Sequence, residues 1–86
     1  MDVCRVVGQA VSTQKDQGLT GLTLLLVQPE NPDGSPAGAP TVATDTVGAG
    51  VGERVLVARG SAARQTPATR SAPTDATVVA ILDSLA

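Results

Sequence analysis

Phenylalanine, tyrosine, tryptophan and histidine are all absent from this 86-residue chain, and it has one cysteine. Aromatic rings normally dominate the energetics of cores and interfaces. Without them valine, leucine and alanine must carry that load, and Ile81 is the only isoleucine. A single Cys4 excludes an internal disulfide, and one Cys without any His excludes an ordinary structural zinc site. No metal or cofactor is therefore expected. The missing histidine also removes the usual base for a serine nucleophile. Ser61 is the best candidate by position, yet the only lysine, Lys15, falls in a different loop. No basic block points to nucleic acid. No unbroken apolar run, Leu24–Val27 included, is nearly long enough to cross a bilayer. No charged segment followed by an apolar one opens the chain, so no secretory leader is expected. With a lone reduced thiol, that places the protein in the cytoplasm.

Charge is sparse as well. Six Lys and Arg against eight Asp and Glu give a net charge of −2, and charged residues make up 16% of the chain. One small domain spanning residues 1–86 is the natural reading of the length. A domain of this size buries roughly 60–65% of its unfolded surface and has thin net stability. Small scaffolds add disulfides, a metal or self-association. The first two are excluded here, so composition favours a self-associating protein with surface given over to subunit contacts.

What is present is organised around Thr41–Arg64, which reads as strand, glycine corner, strand and a second corner of small residues. β-Branched side chains at Val42, Val47, Val55 and Val57 suit a half-buried sheet. Gly48, Gly50 and Gly52 suit positive φ or close backbone approach. Gly60-Ser61-Ala62-Ala63 cannot fill a core but lets something else, such as another copy of the chain, come very close. Val3–Val11 reads as a first strand whose imperfect alternation fits a strand with both faces in contact, and Gly8 marks a bulge. Ser12–Gly21 is a polar loop anchored by Leu19. Leu22–Gln28 is a near-continuous apolar run that reads as a buried strand. Pro29–Pro40 holds four prolines and two glycines, with a turn at Asp33-Gly34, and forms a long surface hairpin loop. Gln65–Thr74 is a second polar loop, and Asp75–Leu82 is the last strand. Five curled antiparallel strands in so short a chain make an all-β fold, a small, partly open barrel of the OB type.

The glycine cluster 48–52 does not make a phosphate cradle. Glu53 stands where a dinucleotide fingerprint needs its third glycine, and a strand rather than a helix follows. Asp45 and Asp75 could form a carboxylate pair, but the plainer expectations are that Asp45 accepts hydrogen bonds from turn N–H groups or pairs with an arginine, and that Asp75 caps a turn. Cys4 is a small buried hydrophobe. Arg64, closing the second corner, is suited to gripping a carboxylate at an interface. An enzyme is therefore not expected.

Taken together, these motifs resemble the EutN/CcmL family of pentameric bacterial microcompartment vertex proteins. The resemblance runs from Arg5-Val6-x-Gly8 through Ser12-Thr13-x-Lys15, Leu19-x-Gly21 and Leu24–Gln28. It is strongest at Asp45–Gly50, Val55–Val57, Gly60–Arg64 and Pro73–Ala76, and it continues through Ala80–Asp83. Thr23 and Leu24 depart from the lysine and the bulkier residue frequent there in relatives, and this sequence stops at Ala86 where many continue. The resemblance implies an OB-like barrel assembling as a cyclic homopentamer at the vertices of a shell in the bacterial cytoplasm. Hexameric and trimeric facet proteins would be its partners, with no nucleic acid and no membrane. It also implies that Gly60, Ser61 and Ala62 approach the fivefold axis. Asp45, Gly48, Gly50 and Arg64 are then expected at the subunit interface, with Asp45 or Glu53 pairing with Arg64 or Arg59. Loops 12–20 and 65–73 would face the facets. The alternative is an OB-type module binding single-stranded nucleic acid or a small ligand, though such grooves use aromatic platforms and positive charge that this chain lacks.

Overall fold

The computed structural model describes residues 1–11, 15–19, 21–70 and 74–83. Five strands, β1 (Asp2–Ala10), β2 (Thr23–Pro29), β3 (Thr41–Asp45), β4 (Arg54–Arg59) and β5 (Ala76–Ile81), form a closed barrel in the order β1-β2-β3-β5-β4. Two corrections to the sequence expectation follow. The barrel is closed rather than partly open, and one of its seams, β3 with β5, is parallel. The reason is the connectivity. The chain leaves β3 through the glycine corner, skips one position to form β4, and β5 then fills the gap beside β3.

Alternation sets the inner face. Cys4 and Val6 of β1, Leu25 and Val27 of β2, Ala43 of β3, Val55 and Val57 of β4, and Ala76 and Val78 of β5 form one buried cluster. Among the described residues every leucine but Leu25 is left out of it. β1 bulges as Gly8 suggests: its register against β2 shifts between Val6 and Gly8, which leaves Val7 without a partner and 45% exposed. A second shift between Leu56 and Val57 curls β4 against β5. Such bulges raise the local twist and help a short sheet close.

The ends of the barrel are plugged differently. At one end Arg59 reaches across the mouth from β4, pairing with Asp2 at 2.8 Å and donating to the Thr41 hydroxyl at 3.2 Å. At the other the chain after β3 folds over the opening. Ala49 packs against the core, and Gly52 N–H donates to Val6 while Val6 N–H donates to Glu53. The proline-rich segment forms the expected long connection between β2 and β3. Gly34 adopts φ +88° in its turn, and the Gln28 side-chain amide donates to the Gly38 carbonyl. Two short 3-10 turns were not anticipated, Gln17–Leu19 within the first polar loop and Gly60–Arg64 at the second corner. Leu19 is half-buried, as an anchor should be. Residues 12–14, 20 and 71–73 of the two polar loops lie outside the described residues.

Burying a valine contributes roughly 1.5–3 kcal/mol, and five valines make up most of this core. Val57→Ala, at a side chain fully shielded from solvent, is expected to cost about 2 kcal/mol, from two lost carbons at about 0.8 kcal/mol each plus a residual cavity. Urea denaturation of both proteins at one fixed concentration measures it.

Candidate functional site

The small-residue corner is exposed but firmly seated. Gly60 has φ +60°, and its N–H donates to the Asp75 carbonyl at 2.9 Å. Positive φ is costly for any residue with a Cβ, so Gly60 is required by the backbone; its surroundings leave room, with nothing within 4 Å of where a Cβ would sit. Ser61, Ala62 and Arg64 are exposed, whereas Ala63 is completely buried. The Ala63 carbonyl accepts hydrogen bonds from the Thr69 and Thr77 hydroxyls, both at 2.7 Å and both from side chains with no exposure. The Thr66 and Thr69 hydroxyls are 2.6 Å apart, in hydrogen-bond contact, which extends the network into the turn that follows. Three exposed residues thus stand on a pedestal of buried hydroxyls. Composition could not show this, because the threonines come from two different segments.

Among the described residues Arg64 does not meet a carboxylate. Its Nη1 donates to the Thr74 carbonyl at 2.9 Å, tying the corner to the entry of β5. Arg59 pairs with Asp2 rather than with Asp45 or Glu53. The expected clamp therefore does not form inside one subunit, because both carboxylates are already occupied by the glycine corner. Asp45 accepts the N–H groups of Val47 and Ala49 at 3.1 and 3.0 Å, and Glu53 accepts the Gly50 N–H. Gly48 and Gly52 have φ +77° and +93°. Gly50 has an ordinary φ, but an added Cβ would sit 3.4 Å from Glu53 Oε1. Positive φ accounts for Gly48 and Gly52, whereas at Gly50 the only nearby atom is the movable end of the exposed Glu53 side chain, so the backbone there does not demand glycine. Val47 lies just past the end of β3, exposed. The turn at the entry of β5 is capped by the Thr74 hydroxyl, which bonds Ala76, and not by the Asp75 carboxylate.

The structure brings Gly60, Ser61, Ala62 and Arg64 together in one corner, and Asp45, Gly48 and Gly50 together in the other. An ion-pair cluster that sequence reasoning missed stands on the outer face. The Glu30 carboxylate, only 8% exposed, receives Arg5 Nε at 3.2 Å and Arg54 Nε at 3.3 Å. Arg5 also donates to the Gly52 carbonyl at 2.9 Å. Glu30 follows Pro29 in a stretch whose composition spoke only of surface loop. The structure pairs Arg5 with Arg54 across β1 and β4, and like charges so placed need a shared anion, but nothing in the sequence announces that pairing.

None of these groups is arranged for catalysis. Burial pushes the Cys4 thiol above its ordinary value, against the opposing charge of Arg59, so the thiol stays protonated and inert. The Ser35 hydroxyl and N–H hold the Asp33 carboxyl below its usual range in a fully exposed turn. Among the described residues no cluster of three or more potential metal ligands occurs.

A family model described as "Ethanolamine utilisation protein EutN/carboxysome" matches residues 1–83. The chain is 49% identical over 85 residues to the carboxysome shell vertex protein CcmL of Synechocystis sp., covering 99% of this chain and 85% of that protein. It is 46% identical over 89 residues to the microcompartment shell vertex protein PduN of Salmonella typhimurium, covering 99% and 98%. The solved structure of GrpN, a pentameric microcompartment shell protein from Rhodospirillum rubrum, superposes with a TM-score of 0.87 at 41% identity, covering 100% of this chain and 96% of that one.

The threonine pedestal has a measurable consequence. Thr69→Val or Thr77→Val alone is expected to cost about 1 kcal/mol, the net worth of one hydrogen bond. The double variant should cost more than the sum, because the buried Ala63 carbonyl then loses both hydroxyl partners, a penalty of about 1–3 kcal/mol. Denaturant titration of the two single variants and the double variant checks the non-additivity.

Proposed function

The chain belongs to the EutN/CcmL family of microcompartment shell proteins, and from that premise we propose that five copies form a ring that closes the vertices of a bacterial microcompartment shell. Its work is structural and not enzymatic. Hexagonal tiles alone make a flat sheet, and fivefold units introduce the curvature that closes a polyhedron. A cyclic pentamer closes a head-to-tail interface on itself, so no open edge is left to propagate a fibre.

The observation that carries this reading is the mismatch between how firmly the second corner is held and how little the subunit asks of its tip. Gly60 answers to its positive φ, and Ala63 answers to burial. Ser61 and Ala62 are exposed, and nothing inside the subunit calls for their small size. Five copies converging on one axis do. On this reading Gly60, Ser61 and Ala62 surround a narrow central opening, lined by backbone N–H groups and the Ser61 hydroxyl. Asp45, Gly48, Gly50 and Arg64 lie toward subunit contacts. Arg64 already carries one hydrogen bond to Thr74 and has further N–H groups to offer, so a carboxylate clamp, if formed, is formed between subunits. Hexameric and trimeric facet proteins are the partners on the outer rim.

Size-exclusion chromatography with light scattering is expected to give a mass about five times the 8.5 kDa of the chain. A folded particle of one chain mass at micromolar concentration overturns the reading. Ser61→Trp is expected to block the opening or break the ring, seen as a plugged axis by cryo-electron microscopy or as loss of the five-chain mass. An intact ring with an axis no narrower than before refutes the placement of the corner.

A further inference from the structure

We infer that Asn31 and Ser35 guard the Asp33-Gly34 pair, in the turn after β2, against isoaspartate formation. Without them Asp33 becomes a modification site, through a covalent change of the main chain in which water is the only co-reactant.

Asp33 is the one aspartate in the sequence followed by glycine. In such a pair the glycine nitrogen attacks Cγ of the aspartate carboxyl. An N–Cγ bond forms, the bond from Cγ to the hydroxyl breaks, and the hydroxyl leaves as water with the proton of the amide. The product is a cyclic imide. Water then reopens the ring at either carbonyl. Opening at the former main-chain carbonyl returns the proton to nitrogen, frees an α-carboxylate and routes the backbone through the side-chain carbon, which adds a methylene to the main chain. Glycine favours the attack because it has no Cβ to hinder approach. Gly34 is nevertheless demanded by the turn, where its φ is +88°.

The attack has two requirements. The nitrogen must give up its proton, and the carboxyl must carry one, because an ionised carboxylate has no good leaving group. The turn opposes both. The Gly34 N–H donates to the Asn31 carbonyl at 2.9 Å. Asp33 Oδ1 accepts the Ser35 hydroxyl at 2.6 Å and the Ser35 N–H at 2.9 Å, which tethers the carboxylate to Ser35. These bonds, the hydroxyl's first, hold the Asp33 carboxyl below its usual range and keep it ionised.

Asn31 completes the device. The Ser35 hydroxyl has a single proton to donate. The Asn31 side-chain amide donates to Ser35 Oγ at 3.0 Å, so that oxygen serves as acceptor there and its proton is directed to Asp33. The Asn31 N–H closes the base of the turn on the Ser35 carbonyl at 2.8 Å. Asn31, Asp33 and Ser35 are all exposed, so core packing does not account for this network, and Pro32 with Gly34 already shapes the turn. The turn also adjoins a contact that matters. Asn31 follows Glu30, whose carboxylate holds Arg5 and Arg54, and a Cβ on Gly34 would lie 3.8 Å from Arg54 Nη2. An inserted methylene would displace the main chain against that ion-pair cluster.

The test ages folded wild type, Ser35→Ala and Ser35→Thr at neutral pH, with circular dichroism to check folding. Peptide mapping with electron-transfer fragmentation reads isoaspartate at Asp33, since it separates the two linkages although their masses are equal. Ser35→Ala is expected to convert at Asp33 several-fold faster than wild type, and Ser35→Thr, which keeps the hydroxyl, to match wild type. Asp16 and Asp75 serve as internal references whose conversion stays unchanged. Equal rates at Asp33 in wild type and Ser35→Ala overturn the inference, as does Ser35→Thr converting as fast as Ser35→Ala. A rise at all aspartates together also overturns it, because that marks general loosening. Should Ser35→Ala fail to fold, Asn31→Ala takes its place: a rise confined to Asp33 is expected, and an unchanged rate there overturns the inference.

Discussion

Among the described residues two pairs, Thr44 with Thr77 and Asp45 with Val78, join β3 to β5, and without them the sheet is an open ribbon. Parallel ladders are somewhat weaker per residue than antiparallel ones, so a two-pair seam is a marginal closure on backbone bonds alone. The side chains beside it supply the rest. The Thr46 hydroxyl donates to the Val78 carbonyl at 2.7 Å, one step past the last ladder pair. At the other end the Thr44 hydroxyl donates to Thr74, whose own hydroxyl donates to the Ala76 carbonyl. Asp45, in the seam, also holds the glycine corner that carries the chain away from it. The same short stretch closes the barrel, turns the chain and reaches the small-residue corner through Thr77. That is why threonine and aspartate crowd a region where a larger protein would use apolar bulk.

Closure also explains the missing aromatics. The interior of a barrel narrows as the number of strands falls, and at five strands valine, alanine, cysteine and one leucine fill it. A ring system in that space would overpack, and overpacking costs about as much as a cavity does. What looks like poverty in the composition is a match to a narrow container. The consequence falls on the outside. With the interior satisfied by small residues, the larger aliphatic side chains Leu24, Leu26 and Leu56 stand outside the core cluster, half-buried on the barrel wall.

Local features of this fold could be read from the sequence because their causes are local. The bulge followed from Gly8, the long loop from four prolines, the turn geometry from Gly34, Gly48 and Gly52, and the turn-capping carboxylate from Asp45 beside the glycines. The strands themselves fell within a residue or two of their observed limits, because alternation and terminating prolines are properties of adjacent residues. The parallel seam, the full closure, the Ala63 pedestal and the Glu30 ion pairs are contacts between segments far apart in the chain. No periodicity announces them. Thr77 in a strand and Thr69 in a polar loop are each ordinary until the fold aims both hydroxyls at one carbonyl. The exposed tip of the corner is a different case: the smallness of Ser61 and Ala62 has no cause inside the subunit, which is why their role is a matter of the proposed ring.

The contrast between the two corners bears on how a fivefold unit must be built. On the proposed placement of the small-residue corner at a fivefold axis, any displacement of one subunit's tip is repeated five times, so that corner has to be stiff. Apolar packing is poorly suited to this, since a tip of glycine, serine and alanine has little surface to pack. Hydrogen bonds to the backbone do not depend on side-chain size. A carbonyl held by two buried hydroxyls and an N–H held by a strand-entry carbonyl fix the main chain while leaving the outward side chains minimal. The glycine corner uses the same device with carboxylates, Asp45 and Glu53 each capturing turn N–H groups. The corner's stiffness is then drawn from polar contacts inside the subunit, and the ring proposed above could vary its flanks while keeping the geometry of this corner.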